Sequence, residues 1–258
     1  MSSAELVPPT STRTARRFAI TWRNRLRRVI TPVAVLDYFG PADYQFQYLD
    51  GVSTVEGFRP FIGFPDFNSL YISTRLWPFF ELRVMDRKRP DFPEYVSWLG
   101  LKPDASTLDI LSRSGGGNKG DTVQLVEAPT VTSDGSTESI FLARGVRYAL
   151  SEHGTEAAAT ALQPGDKLQL GDDSFNEANP RALLIQTCGG ESVGWVPDLL
   201  VDYAHQLRDT GGTVQLLQNN REAPTHARLL VQLSGHVMPD TSIFVGGVWP
   251  QLRREIVS

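Results

Sequence analysis

The stretch "FNEANPRALLI", Phe175 to Ile185, decides how the second half of the chain is read. Asn tolerates turn geometries and Pro has no backbone donor, so Asn176, Asn179 and Pro180 break regular structure. Ala182 to Ile185 then reads as a short core strand, bounded by that turn ahead and by "TCGG" behind. A loop so placed either turns the chain or presents its amides to a ligand. Outward from it, "IFLARGVRYAL" and "GDKLQL" precede as strands and "ESVGWVP" follows as another. "PDLLVDYAHQLRDTG" is a helix, with Leu199, Leu200, Tyr203 and Leu207 along one face and Gly211 just past its end. "TVQLLQ", "ARLLVQLSG" and "TSIFVGGVW" complete the strands. Many short strands with one main helix predict a compact barrel or rolled sheet over 140–258.

The first half has a different texture. Residues 1–12, rich in Ser, Thr and Pro, read as a flexible tail. "RRFAITWRNRLRRVITPVAVLDY" alternates apolar and polar positions as a hairpin of half-buried strands, and "DYQFQYLDG" adds a third. A proline at position 78 suits the first turn of a helix to about Met85. "PEYVSWLGL" is a second helix stopped by Gly100, and "STLDILSRSGGG" a third, capped by Ser106 or Thr107. "DTVQLVEAP" returns to a strand. The polar segment "APTVTSDGSTES" places a linker at 131–139, between an α+β module over 13–130 and the barrel. The fold class is thus α+β and mostly β.

With 258 residues, the chain is long enough for two domains with their own cores. No apolar run reaches the roughly 18 residues that span a bilayer, and the first 20 residues lack the apolar core of a signal peptide, so a cytoplasmic protein with no membrane partner is expected. Cys188, the one cysteine, reads as a thiol packed in an apolar strand. The net charge of −4 excludes indiscriminate coating of nucleic acid. Yet Arg13, Arg16, Arg17, Arg23, Arg25, Arg27 and Arg28 all precede Asp37, the first acid after Glu5. They form a solvated hairpin rim or meet an acidic partner such as a phosphate backbone.

Motifs for catalysis fail on spacing. In "GGGNKGDT", Lys119 is followed by Gly120 and Asp121, not by the Ser or Thr that a phosphate-binding loop requires at a helix start. His153, His205, His226 and His236 have no metal-ligand spacing with each other or with Cys188. No histidine stands near a G-x-S-x-G elbow, and the adjacent Asp172 and Asp173 diverge on a turn. A non-catalytic protein with no cofactor and no metal is expected.

The segments "IFLARGVRY", "GDKLQL", "FNEANPRALLIQ" and "ESVGWVP" with the helix after them resemble the HIRAN domain over about Ile140 to Trp249. The resemblance implies a modified barrel related to the oligonucleotide-binding fold, which captures single-stranded DNA at a free 3′ end. Arg147 and Tyr148 match that family's basic and aromatic pair, for phosphate contact and base stacking. Asn176 matches the first loop amide, and Trp195 follows the turn glycine, Gly194. Phe175 would replace a ring that the loop lacks, since Ala178 and Asn179 stand where the family has an aromatic and an acid. Aromatic faces stack on any base, and a guanidinium holds phosphate. Residues 141–258 carry 9 basic and 13 acidic side chains, which suits a pocket for one strand end better than a long-tract binder.

The first half, over about Phe18 to Pro129, resembles the N-terminal subdomain of HipA-type toxin kinases, without the kinase core. This resemblance implies a bacterial DNA-processing, defence or toxin-control setting. The expected function is single-stranded DNA or 3′-end binding through Arg147, Tyr148, Phe175, Asn176 and Trp195. Arg23, Arg25, Arg27 and Arg28 would add phosphate contacts, and a helicase or nuclease would be the protein partner. The alternative is an antitoxin-like, protein-binding regulator of a separate HipA-type kinase.

Overall fold

A computed structural model describes residues 16–26, 29–117, 122–152, 154–176 and 179–238. The expected strand "TSIFVGGVW" and the tail 1–12 lie outside them.

The first half is built on a five-stranded antiparallel sheet. Its strands are β1 (Arg16–Arg23), β2 (Ile30–Gly40), β3 (Asp43–Tyr48), β4 (Tyr71–Ser73) and β5 (Val123–Glu127), in the order β4-β3-β2-β1-β5. Alternation drives it: Phe18, Ile20, Leu36, Phe46 and Tyr48 are buried on one face. Aromatic rings fill that face, with Phe46 and Phe64 3.9 Å apart between centroids. The phenol of Tyr48 accepts from the Phe61 amide at 2.6 Å and donates to the Phe64 carbonyl at 3.0 Å. Burial pushes it up to about 12, so it remains a neutral donor.

Three helices follow β4: α1 (Pro78–Glu81), α2 (Phe92–Trp98) and α3 (Thr107–Ser114). The first is shorter than expected and ends near Glu81. Ser106 and Asp109 form a reciprocal capping box on α3, and Gly115 closes it at φ 73°. Arg16 reaches Asp109 at 2.8 Å and Glu127 at 2.6 Å, tying β1, α3 and β5 together.

The second half is a seven-stranded antiparallel sheet. It comprises β6 (Thr130–Val131), β7 (Ser136–Leu142), β8 (Lys167–Asp172), β9 (Leu183–Gln186), β10 (Ser192–Trp195), β11 (Thr213–Asn219) and β12 (Leu229–His236). The order is β10-β9-β8-β11-β12-β7-β6. Helices α4 (Val146–Glu152), α5 (Glu156–Ala161) and α6 (Val201–Asp209) accompany it. Tyr203 of α6 is buried against the sheet and shares a 3.1 Å hydrogen bond with Thr137.

Four expectations change here. Residues 131–139, expected as a linker, are taken up by the β6–β7 hairpin, whose turn is fixed by Asp134 bonding Thr132 and Ser136. The stretch "IFLARGVRYAL" is a strand only as far as Leu142: Gly145 turns the chain at φ 60°, and α4 takes the rest. With that strand cut short, no closed barrel forms among the described residues. The edge strand β10 meets instead the segment just after β7 at one bridge, Arg144 with Trp195, whose N–O distances are 2.8 and 2.9 Å. Cys188 is exposed in the turn after β9, its thiol 3.3 Å from the Lys167 carbonyl, because the apolar strand ends at Gln186.

The halves share an apolar cluster in which Phe92, Val96, Leu99 and Ile110 pack with Leu142 and Leu230. The Asn220 amide also donates to the Trp98 carbonyl at 2.8 Å. The Asp109 carboxyl is partly buried, which by itself raises its pKa; bonds from Ser106 and the Arg16 guanidinium outweigh this and hold it below its ordinary value. Its stabilising contribution should therefore be complete above the ordinary aspartate value of 3.8 and be lost as the pH falls through the depressed folded value. Asp109→Asn should flatten that acid limb and cost about 1 kcal/mol at neutral pH, as read by urea unfolding across pH.

Candidate nucleic-acid interface

The bridge between Arg144 and Trp195 organises the candidate site. Two glycines allow it. A Cβ on Gly145 would lie 2.5 Å from the Trp195 ring, and one on Gly194 would lie 2.9 Å from the Arg144 carbonyl oxygen. The backbone segments approach closely, and the half-buried indole of Trp195 lies over Gly145. Its Nε1 donates to Asp173 Oδ2 at 2.8 Å, so the loop after β8 holds the ring.

Tyr148, on the first turn of α4, stands beside that ring with centroids 5.8 Å apart and planes tilted by 51°. It is 56% exposed. Arg147, next to it, is exposed and forms no hydrogen bond or ion pair among the described residues. Phe175 is 95% exposed, two residues beyond the aspartate that holds Trp195. An apolar ring in that position has given up burial entirely, the reverse of what folding alone favours.

The loop amides hydrogen-bond within the loop and to its neighbours. Asn176 Nδ2 donates to Asp173 Oδ2 at 3.1 Å, and Asn176 Oδ1 accepts from the Asn179 amide at 3.0 Å. Asn179 in turn bonds the Arg181 amide through Oδ1 at 3.0 Å and Asp198 through Nδ2 at 3.1 Å. Behind the loop, His205 Nε2 lies 2.9 Å from the Arg181 carbonyl, and Arg208 joins His205 Nδ1 to Asp172. His205 Nδ1 thus accepts from Arg208 while Nε2 faces the Arg181 carbonyl. The amides thus scaffold the loop that presents Phe175.

Structure therefore brings Tyr148 and Trp195 into contact and joins Asn176 to Trp195 through Asp173. Arg147 adjoins Tyr148 in sequence. Arg23 and Arg25 are exposed at the β1–β2 turn of the other sheet, and Arg27 and Arg28 lie outside the described residues. Sequence reasoning weighed Asp173 only as one of an adjacent acid pair; its turn position two residues before Phe175 was the available signal for its role here. That reasoning passed over a groove of about 950 Å³ between α1–α3 and Thr225–Ala227, walled in part by Arg87, Tyr95, Trp98 and His226. Arg87 there donates to the carbonyls of Pro103 and Ala105. The Ser136 hydroxyl lies 3.1 Å from His236 Nε2, yet it bonds Asp134 Oδ2 at 2.9 Å, so the carboxylate serves the serine and not the histidine. Among the described residues, no group of three His, Cys, Asp or Glu side chains could hold a metal ion, and no helix is long and apolar enough to cross a membrane.

No protein-family model matches the chain, and no curated protein matches it. Among solved structures, a Lactobacillus plantarum protein determined as a structural-genomics target aligns at 18% identity and a TM-score of 0.28, over 40% of this chain and 100% of its own. The HIRAN domain of human HLTF aligns at 14% identity and a TM-score of 0.27, over 42% of this chain and 76% of its own. Both likenesses are distant.

Trp195→Phe should keep the ring on Gly145 while leaving Asp173 without its indole donor. The expected loss is about 1 kcal/mol of stability, with faster hydrogen exchange at the amides of Asn179, Arg181 and Ala182. Unchanged exchange there would show that the indole bond does not hold the loop.

Proposed function

We propose that the chain is a non-catalytic protein that binds single-stranded DNA, at a 3′ end, on the surface formed by Tyr148, Trp195 and Phe175. One observation carries this reading: a half-exposed tyrosine ring against a fixed tryptophan, beside Arg147, which forms no bond among the described residues, and next to the loop that presents Phe175. Rings of this kind accept any base, and an adjacent guanidinium accepts the phosphate between bases. The motif order that resembles the HIRAN domain supports it from the sequence side. Asn176 contributes by shaping the loop, and the hairpin arginines Arg23, Arg25, Arg27 and Arg28 offer a further phosphate contact. A helicase or nuclease partner in a bacterial DNA-processing or defence system fits such a module.

A second reading, binding of a separate HipA-type kinase by the first half, draws on Ile72. This residue is 66% exposed on β4, the edge strand of the five-stranded sheet. Exposed apolar groups on a strand with open hydrogen-bonding sites suit pairing with another chain.

Fluorescence anisotropy with a single strand ending in a 3′ hydroxyl, its 3′-phosphorylated twin and a blunt duplex tests the first reading. Preference for the free hydroxyl is expected. Arg147→Ala should weaken binding and lower its salt dependence, whereas Tyr148→Ala should cost about 1–3 kcal/mol with the salt slope unchanged. Absence of binding to all three would sink this reading in favour of the protein-binding one.

A further inference from the structure

We infer that Arg144 is an anion-binding residue, holding a phosphate of the strand that lies on Tyr148 and Trp195; this rests on the reading of the interface given above. The Arg144 backbone is fixed from both sides by Trp195, at 2.8 and 2.9 Å, so its side chain starts from a defined point beside the indole. That side chain runs toward the first half. Its Nη2 lies 3.1 Å from where a Cβ on Gly115 would stand, so the glycine that ends α3 makes room for the guanidinium.

Among the described residues the guanidinium has no acceptor: it forms no hydrogen bond or ion pair there, although it is half-buried. Desolvation lowers its pKa, with only the charge of Asp198 acting against this. Arg228 differs in having acceptors, Glu156 at 2.7 Å and Thr160 at 3.0 Å. Arg113, desolvated without a hydrogen bond among the described residues as well, differs in having three carboxylates around it, those of Glu127, Glu138 and Asp109. Withdrawing a guanidinium from water without an acceptor is costly, and a bidentate oxyanion removes the cost. Phosphate matches the planar fork, and partial exposure leaves it a way in. Because the backbone of Arg144 is shared with Trp195, a phosphate held here belongs to the strand whose base meets that ring.

The test compares wild type, Arg144→Gln and Arg144→Lys for binding to labelled single-stranded oligothymidylate across a salt series. A second arm measures thermal stabilisation by inorganic phosphate against chloride at equal ionic strength. Arg144→Gln should bind roughly tenfold more weakly, lower the log–log salt slope by about 0.7, and lose the phosphate stabilisation seen in wild type. If it keeps the wild-type affinity and slope, Arg144 is not a phosphate contact, although strand binding itself stands. If wild type fails to bind the strand yet gains phosphate stabilisation that needs Arg144, the anion site stands and the strand reading falls. If phosphate stabilises neither and no strand binds, both fall. Should Arg144→Gln not fold, Arg144→Lys decides: weaker binding at an unchanged slope supports the forked contact, and unchanged affinity contradicts it.

Discussion

The second half depends on the closeness with which residues 143–146 pass β10. The two backbone bonds between Arg144 and Trp195 stand where a full strand ladder would otherwise close the sheet. They need Gly194 on one side and Gly145 on the other, because a side chain at either would collide with backbone or indole. Gly145 also has to adopt φ 60°, which sends the chain out of the sheet and into α4. One turn therefore ends a strand, starts the helix that carries Arg147 and Tyr148, and sets the Trp195 ring against that helix.

Everything near the ring follows from this placement. The indole bonds Asp173; Asp173 bonds Asn176; Asn176 bonds the Asn179 amide, and Asn179 reaches Asp198 just beyond β10. These polar bonds run in series from an aromatic anchor to Asp198, alongside the exposed Phe175. Such networks are rigid when every member is satisfied.

How much of this was legible in the sequence varies by element, for physical reasons. The hairpin of Phe18, Ile20 and Leu36 was plain because alternation with period two has one structural meaning when one face is buried. The caps of α3 were equally plain in Ser106 and Gly115. The passage from strand to helix at Gly145 was not: "IFLARGVRYAL" is apolar throughout, and a short apolar run fits a strand or a buried helix alike. The hairpin turn at Asp134 and Gly135 carried the Asp-Gly signal, yet polar neighbours made it read as a linker. Tyr148, Trp195 and Phe175 were legible as aromatic candidates by order in the chain; that Asn176 would scaffold the loop depended on Asp173, 22 residues before the ring it holds. Arg144 left no mark, because its isolation is a property of the packed seam and not of its neighbours in sequence.

In the proposed function Trp195 is the fixed floor of a base-stacking surface, and its indole N–H is a direct reporter. Two-dimensional NMR of the tryptophan indole region, with the Trp195 signal assigned by Trp195→Phe, should show that signal moving on addition of a short single strand while those of Trp77 and Trp98 stay in place. Movement confined to the other tryptophans, or none at a strand concentration that saturates binding, would contradict the placement of the surface at this ring.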